Sequence, residues 1–170
     1  MSQIGFWIKN ARSISLPQSA LPCLTAIVLC IGQEGFVWWL ALPVLLGICA
    51  AHLGMNLADD YFDYKHDPRT RADISSSSVR ARMEKCQYLG EREEAKGERQ
   101  EKATLSELGW AIVGFLGFAA LMGAIALVGQ WLVHGWQATI GIVIYALLGL
   151  FVGINYSGKP LELGYHGLGE

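Results

Sequence analysis

The sequence predicts an all-α protein: a polytopic transmembrane helix bundle with about four spanning helices in its 170 residues. Three observations carry that prediction. Hydrophobic residues make up 52% of the chain and charged residues only 16%, too little charge to dress a water-soluble domain of this size. The apolar residues are gathered into long runs instead of amphipathic stripes, which makes lipid the natural solvent. The basic residues are segregated along the chain in a pattern that fits an even number of crossings.

Four apolar stretches lie near residues 14–31, 36–57, 108–128 and 138–154. Each is close to the roughly 20 residues that cross a bilayer core. Pro17, Gln18, Ser19 and Pro22 interrupt the first. Lys9 and Arg12 precede it, but no small-residue cleavage site follows before the second stretch, so it reads as a span and not as a signal peptide. Short connections free of Lys and Arg are expected at Gly32–Gly35 and Gly129–Gln137. The long connection, 58–107, holds ten of the thirteen basic residues, from Lys65 to Lys102. Lys9, Arg12 and Lys159 then fall on the same side, which the positive-inside rule makes the cytoplasmic face of the inner or plasma membrane. Trp38, Trp39, Trp131 and Trp136 flank the uncharged side, and Trp7 and Trp110 the basic side, as interfacial belts require.

Smaller signals agree. Thr104-Leu-Ser-Glu107 is a capping box ahead of the third stretch. Gly54-x-x-x-Ala58, Ala119-x-x-x-Gly123 and Gly149-x-x-x-Gly153 offer small faces for close helix packing. Glu91 to Lys102 reads as a solvated helix or loop. No basic arm points to a nucleic acid. The four cysteines (Cys23, Cys30, Cys49 and Cys86) show no CxxC spacing that would suggest zinc or a disulfide framework. His52, inside the second stretch, reads as a packing histidine bonded to a neighbouring helix.

The chemistry is concentrated in Asn56-Leu-Ala-Asp59-Asp60-Tyr-Phe-Asp63-Tyr-Lys-His-Asp67. On a helix Asp59, Asp63 and Asp67 line one face over about 12 Å. Carboxylates stacked in this way repel one another, and they stand at the end of the helix where the dipole is already negative. A cation should compensate them. Hard oxygen donors beside a membrane suit Mg²⁺, which bridges one or two carboxylates to substrate phosphates. The plainer alternative is a polar helix end neutralised by Lys65, Arg69 and Arg71.

This segment resembles the N-D-x-x-D-x-x-x-D motif of the UbiA superfamily of membrane prenyltransferases. Asn-Leu-Ala-Asp-Asp-Tyr-Phe-Asp is similar to its 1,4-dihydroxy-2-naphthoate polyprenyltransferase branch, which serves menaquinone biosynthesis. Tyr156, Lys159-Pro160 and Tyr165-His-Gly-Leu-Gly-Glu170 resemble that branch's stretch after the fourth helix. One departure is Asp59, where the wider family usually has Asn. The resemblance implies Mg²⁺ at Asp59, Asp60, Asp63 and Asp67, a polyprenyl diphosphate donor and an aromatic acceptor. It makes Asn56, Tyr156 and Lys159 substrate-binding candidates. Their plainer readings are a helix-interface Asn, a belt Tyr and a snorkelling Lys. The family bundle has eight or nine helices and a second Asp-rich motif, so 1–170 is expected to be the N-terminal part of such a domain, needing further helices for activity. Two alternatives stay open: a superfamily enzyme with another aromatic acceptor, and a non-catalytic membrane protein or inactive gene fragment.

Overall fold

The computed structural model describes residues 3–65, 86–90 and 102–157, save the side chains of 154, 156 and 157. Its helices are α1 (Gln3–Asn10), α2 (Pro17–Cys30), α3 (Ala41–Lys65) and α4 (Leu105–Ser157), with single 3₁₀ turns at Ser13–Ser15 and Trp38–Leu40. The expected motifs Glu91–Lys102 and Tyr165–Glu170, and the candidates Asp67 and Lys159, lie outside the described residues except for Lys102.

Three helical segments are long and apolar enough to cross a membrane: Ser13–Cys30, Trp38–Lys65 and Leu105–Gly153. The fold is thus an all-α membrane bundle, as the sequence predicts. Pro22 lies inside α2, but two other prolines are placed where a helix tolerates them best. Pro17 opens α2, and Pro43 sits in the first turn of α3, where the amide it lacks has no intrahelical partner.

The expected connection at Gly129–Gln137 contracts to a single residue, because α4 stays helical through that stretch except at Gly135. Its 53 residues would reach about 80 Å if straight, far more than a bilayer core. Gly135 breaks it, with φ 77° and ψ 176°, a conformation that essentially only glycine adopts. The Thr139 hydroxyl donates to the Gly135 carbonyl at 2.9 Å and secures the first turn beyond the break. No other residue between Gln130 and Gln137 is a helix breaker, so one residue makes the whole turn.

Contacts with α3 show that the chain doubles back there. A Cβ built on Gly54 would lie 2.7 Å from Leu116 Cδ2 and 3.2 Å from Phe115 Cβ, and one on Gly47 would lie 3.2 Å from Met122 Cβ. At the other end of the same limb, Gly129 meets Trp39 and Leu40. Residues 105–134 therefore run antiparallel to α3. Beyond the break Gly153 reaches Met55, one residue from Gly54, so residues 136–157 return to the same level. The two limbs account for the third and fourth expected stretches.

The tightest core lies at the end of α3 that carries the aspartates. Ala11, Leu53, Leu57, Cys86, Leu89, Ala103 and Leu108 form one buried cluster, with Phe6, Trp7 and Tyr88 among the side chains packed on it. Phe6, Trp7 and Tyr88 meet edge to face at centroid distances of 5.1, 6.1 and 6.4 Å. Trp7, expected in an interfacial belt, is thus half-buried in a ring cluster instead. Residues 86–90 are tied to the entry of α4 by Ala103 N–H donating to the Tyr88 carbonyl and Gly90 N–H to the Ala103 carbonyl. The capping box forms as read: Thr104 N–H donates to Glu107 Oε2 at 2.9 Å, and Glu107 N–H to Thr104 Oγ1 at 3.3 Å. All four cysteines are free.

Candidate functional site

The buried stripe of α3 passes through Ala50, Leu53 and Leu57 and then, at the same helical spacing, through Asp60 and Asp63. Two carboxylates thus occupy positions where the pattern calls for aliphatic side chains. Asp60 is 1% exposed and Asp63 8%. The side chain of Asp59, one position before Asp60, is 28% exposed.

A buried carboxylate needs partners, since an unpaired charge in such a place costs several kcal/mol (~). Asp60 has them on both oxygens. Arg12 donates from Nη2 to Oδ1 at 3.0 Å, and the Tyr88 hydroxyl donates to Oδ2 at 2.9 Å. The Asp60 carbonyl also accepts a weak bond from the Cys86 thiol at 3.6 Å. Burial, and then the adjacent Asp60 carboxylate, hold the Tyr88 phenol well above its ordinary pKa, so it remains a protonated donor at neutral pH.

Arg12 reaches this position through a strained backbone. Its φ of 56° and ψ of 50° are left-handed, an uncommon conformation for a side chain of this kind. The turn aims the guanidinium at three acceptors, the Asn56 carbonyl at 2.9 Å, Asp60 at 3.0 Å and Asp59 Oδ2 at 3.5 Å. Among the described residues, the cation paired with these acids thus comes from the N-terminal segment, a partner the sequence pattern did not single out. Among Lys65, Arg69 and Arg71, only Lys65 is described, and it stands 5.7 Å over the Tyr61 ring.

Asn56 and His52 tie the same segment to the span. Asn56 Nδ2 donates to the Ala11 carbonyl at 2.9 Å and to Ser15 Oγ at 3.2 Å, the helix-interface arrangement. His52 packs against α2 as read: Nε2 meets Ser15 Oγ and Nδ1 meets Ser19 Oγ, each at 2.8 Å. Ser15 gives its one proton to the Arg12 carbonyl at 2.7 Å. His52 must then donate from Nε2 to Ser15 and accept at Nδ1 from Ser19, and this tautomer satisfies every member.

Of the expected cation ligands, Asp59, Asp60 and Asp63 share the last turns of α3, and Asp67 lies outside the described residues. Among the described residues no three His, Cys, Asp or Glu side chains gather as a metal cage. The donor chemistry nevertheless suits a hard cation: Asp59 and Asp63, one helical turn apart, are carboxylates at the end of an apolar span. Tyr156 is in the last turn of α4, past Gly153 and its contact with Met55, and so at the acidic end of the bundle.

The fold and this end of α3 define a helical membrane protein with an acidic site at one end of its spans. No family profile matches the chain, and no solved structure matches it. A stretch of 63 residues, 37% of the chain, is 33% identical to the 1,4-dihydroxy-2-naphthoate octaprenyltransferase of Mycobacterium leprae (strain TN). The match covers 21% of that protein, so the chain corresponds to about a fifth of its relative.

Proposed function

We propose that this protein takes part in prenyl transfer from an allylic diphosphate to an aromatic acceptor of the dihydroxynaphthoate kind, in quinone biosynthesis, together with further helices. The observation that carries the reading is the acidic turn itself. Asp59 and Asp63 stand on one face of a helix that has just left a bilayer-length apolar run, the place where a lipid-tailed, diphosphate-headed donor meets the protein. The short similarity to a prenyltransferase supports it.

Asp59 and Asp63, with Asp67 beyond them, would hold Mg²⁺, which when bound supplies the positive charge that a diphosphate needs to approach these acids. The protein's own part is to hold those carboxylates at the membrane surface. Tyr156 and Lys159 complete the candidate set as groups that would contact donor or acceptor. The acidic end is cytoplasmic in this reading, because the basic connection lies there.

The test uses membranes containing the chain co-expressed with the remaining helices of a prenyltransferase of this branch, supplied with radiolabelled geranylgeranyl diphosphate, Mg²⁺ and either 1,4-dihydroxy-2-naphthoate or 4-hydroxybenzoate. The expected result is a prenylated naphthoate, lost with EDTA and lowered at least about a hundredfold by Asp63→Asn, the scale of removing an electrostatic contributor to such a step. Preference for hydroxybenzoate would move the acceptor to another branch. Absence of product with both acceptors would favour the reading as a membrane protein with no catalysis of its own.

A further inference from the structure

Four aspartates in one short segment invite the view that all are alike, and the structure separates them. Asp60 is the most buried of the three described, and its two oxygens are already bonded to Arg12 and Tyr88. Asp59 is partly open, and it touches the same guanidinium only at 3.5 Å. Arg12 adopts left-handed backbone geometry to reach both, and it also bonds the Asn56 carbonyl one turn earlier. A pairing built from a strained residue, a buried acid and a phenol from a separate segment is over-determined for a solvated helix end.

We propose that Asp60 is not a cation ligand. It is one half of a positioning pair with Arg12, which fixes Asp59 beside it and sets the charge of the acidic turn. Both oxygens of Asp60 are engaged, one by an arginine and one by a tyrosine hydroxyl, and at 1% exposure the carboxylate is closed to an ion arriving from the surface. Arg12, standing between Asp60 and Asp59, cancels one of the negative charges that would otherwise confront each other across one helical step. The turn thus leaves Asp59 partly open while the charge of the buried Asp60 is neutralised, and Tyr88 carries this arrangement into the segment 86–90. The inference rests on the cation-binding reading above in one respect only, that the remaining acids take a divalent ion.

The experiment is Mn²⁺ binding to the detergent-purified chain, followed by electron paramagnetic resonance, together with thermal unfolding of the same samples. Asp60→Asn leaves Arg12 with uncompensated charge and should weaken Mn²⁺ binding. Arg12→Gln should tighten it. Each shift should be about threefold to tenfold, as expected for one unit charge beside a solvent-facing divalent site. The double variant Arg12→Gln/Asp60→Asn should return to within about twofold of the starting affinity, since the two charges leave together. Asp63→Asn should weaken binding more than about tenfold, and Arg12→Gln/Asp63→Asn should still bind more weakly than the unaltered chain, as removal of a ligand predicts. A double Arg12/Asp60 variant as weak as Asp60→Asn alone would make Asp60 a ligand and overturn the proposal.

Failure of the unaltered chain to bind Mn²⁺ would count against the cation reading, and unfolding then decides the pair. Midpoints of the Arg12 and Asp60 variants that combine non-additively support the pair; full additivity overturns it.

Discussion

At the acidic end, Leu57 and Leu108 are fully buried against α1, the segment 86–90 and the entry of α4. In the second limb of α4, Leu147, Leu148 and Leu150 are each more than half exposed, and apolar side chains point outward on every side. Both regions are rich in leucine, yet the residues act differently. The first set is held by other side chains, in a place where water competes for polar groups and burial releases it. The second set is exposed on a helix long and apolar enough to cross a membrane, and in hydrocarbon moving a methyl group from neighbour to lipid gains little while close backbone approach matters more. Sequence hydrophobicity alone does not distinguish them. The polar residues do: Asp60, Tyr88, Asn56 and His52 mark where the chain folds on itself.

The largest effect expected from this contrast is at Leu57. Leu57→Ala should destabilise the chain by about 2–5 kcal/mol, while Leu148→Ala should change stability by no more than about 0.5 kcal/mol. Unfolding in mixed detergent micelles measures both, and equal effects would erase the distinction between the two regions. Next comes the break in α4. Gly135→Ala should cost about 1–3 kcal/mol through backbone strain alone, because no atom lies within 4 Å of the added methyl group. Gly141→Ala, equally open but helical, should instead be neutral or stabilise by up to about 1 kcal/mol. If both substitutions behaved like Gly141→Ala, the doubling back at Gly135 would be wrong. The smallest effect belongs to the capping box. Thr104→Ala should cost about 1 kcal/mol, and amide exchange should quicken in the first turn of α4 and leave the second limb untouched.

Much of the architecture was legible because membrane helices announce themselves by length and apolarity, and the capping box by its spacing. How tightly the third and fourth stretches are joined was not. Trp131, Trp136 and Gln137 looked like an interfacial loop by composition, but all of them continue a helix, and only the positive φ of Gly135 separates the limbs. Gly135-x-x-x-Thr139 was the available clue, a permissive residue followed by a hydroxyl one turn on. At the site, the acidic run was plain, but the division of labour within it was not. The i, i+4 rule groups Asp59 with Asp63, whereas the stripe Ala50, Leu53, Leu57 runs on through Asp60 and Asp63 and sets Asp59 apart. Following that stripe to its end would have marked Asp60 as buried. Its partners Arg12 and Tyr88 are remote in sequence, and neither belongs to a recognisable motif. The long connection hid Cys86, Tyr88 and Leu89 among charged neighbours, so their docking against α3 had no periodic signal.

The Arg12–Asp60–Tyr88 arrangement also imposes an order in time on a chain made from its N-terminus. Arg12 emerges first and has no acid to meet until the far end of α3 has been synthesised. Asp60 follows, and Arg12 satisfies one of its oxygens; Tyr88 comes later and satisfies the second. Until then the half-paired carboxylate favours keeping this end of α3 at the water surface, since drawing it into hydrocarbon would cost about 2.5–3.5 kcal/mol for an aspartate at mid-helix. An aspartate this costly to draw into hydrocarbon would oppose further sliding of the second span into the bilayer until both of its partners are in place.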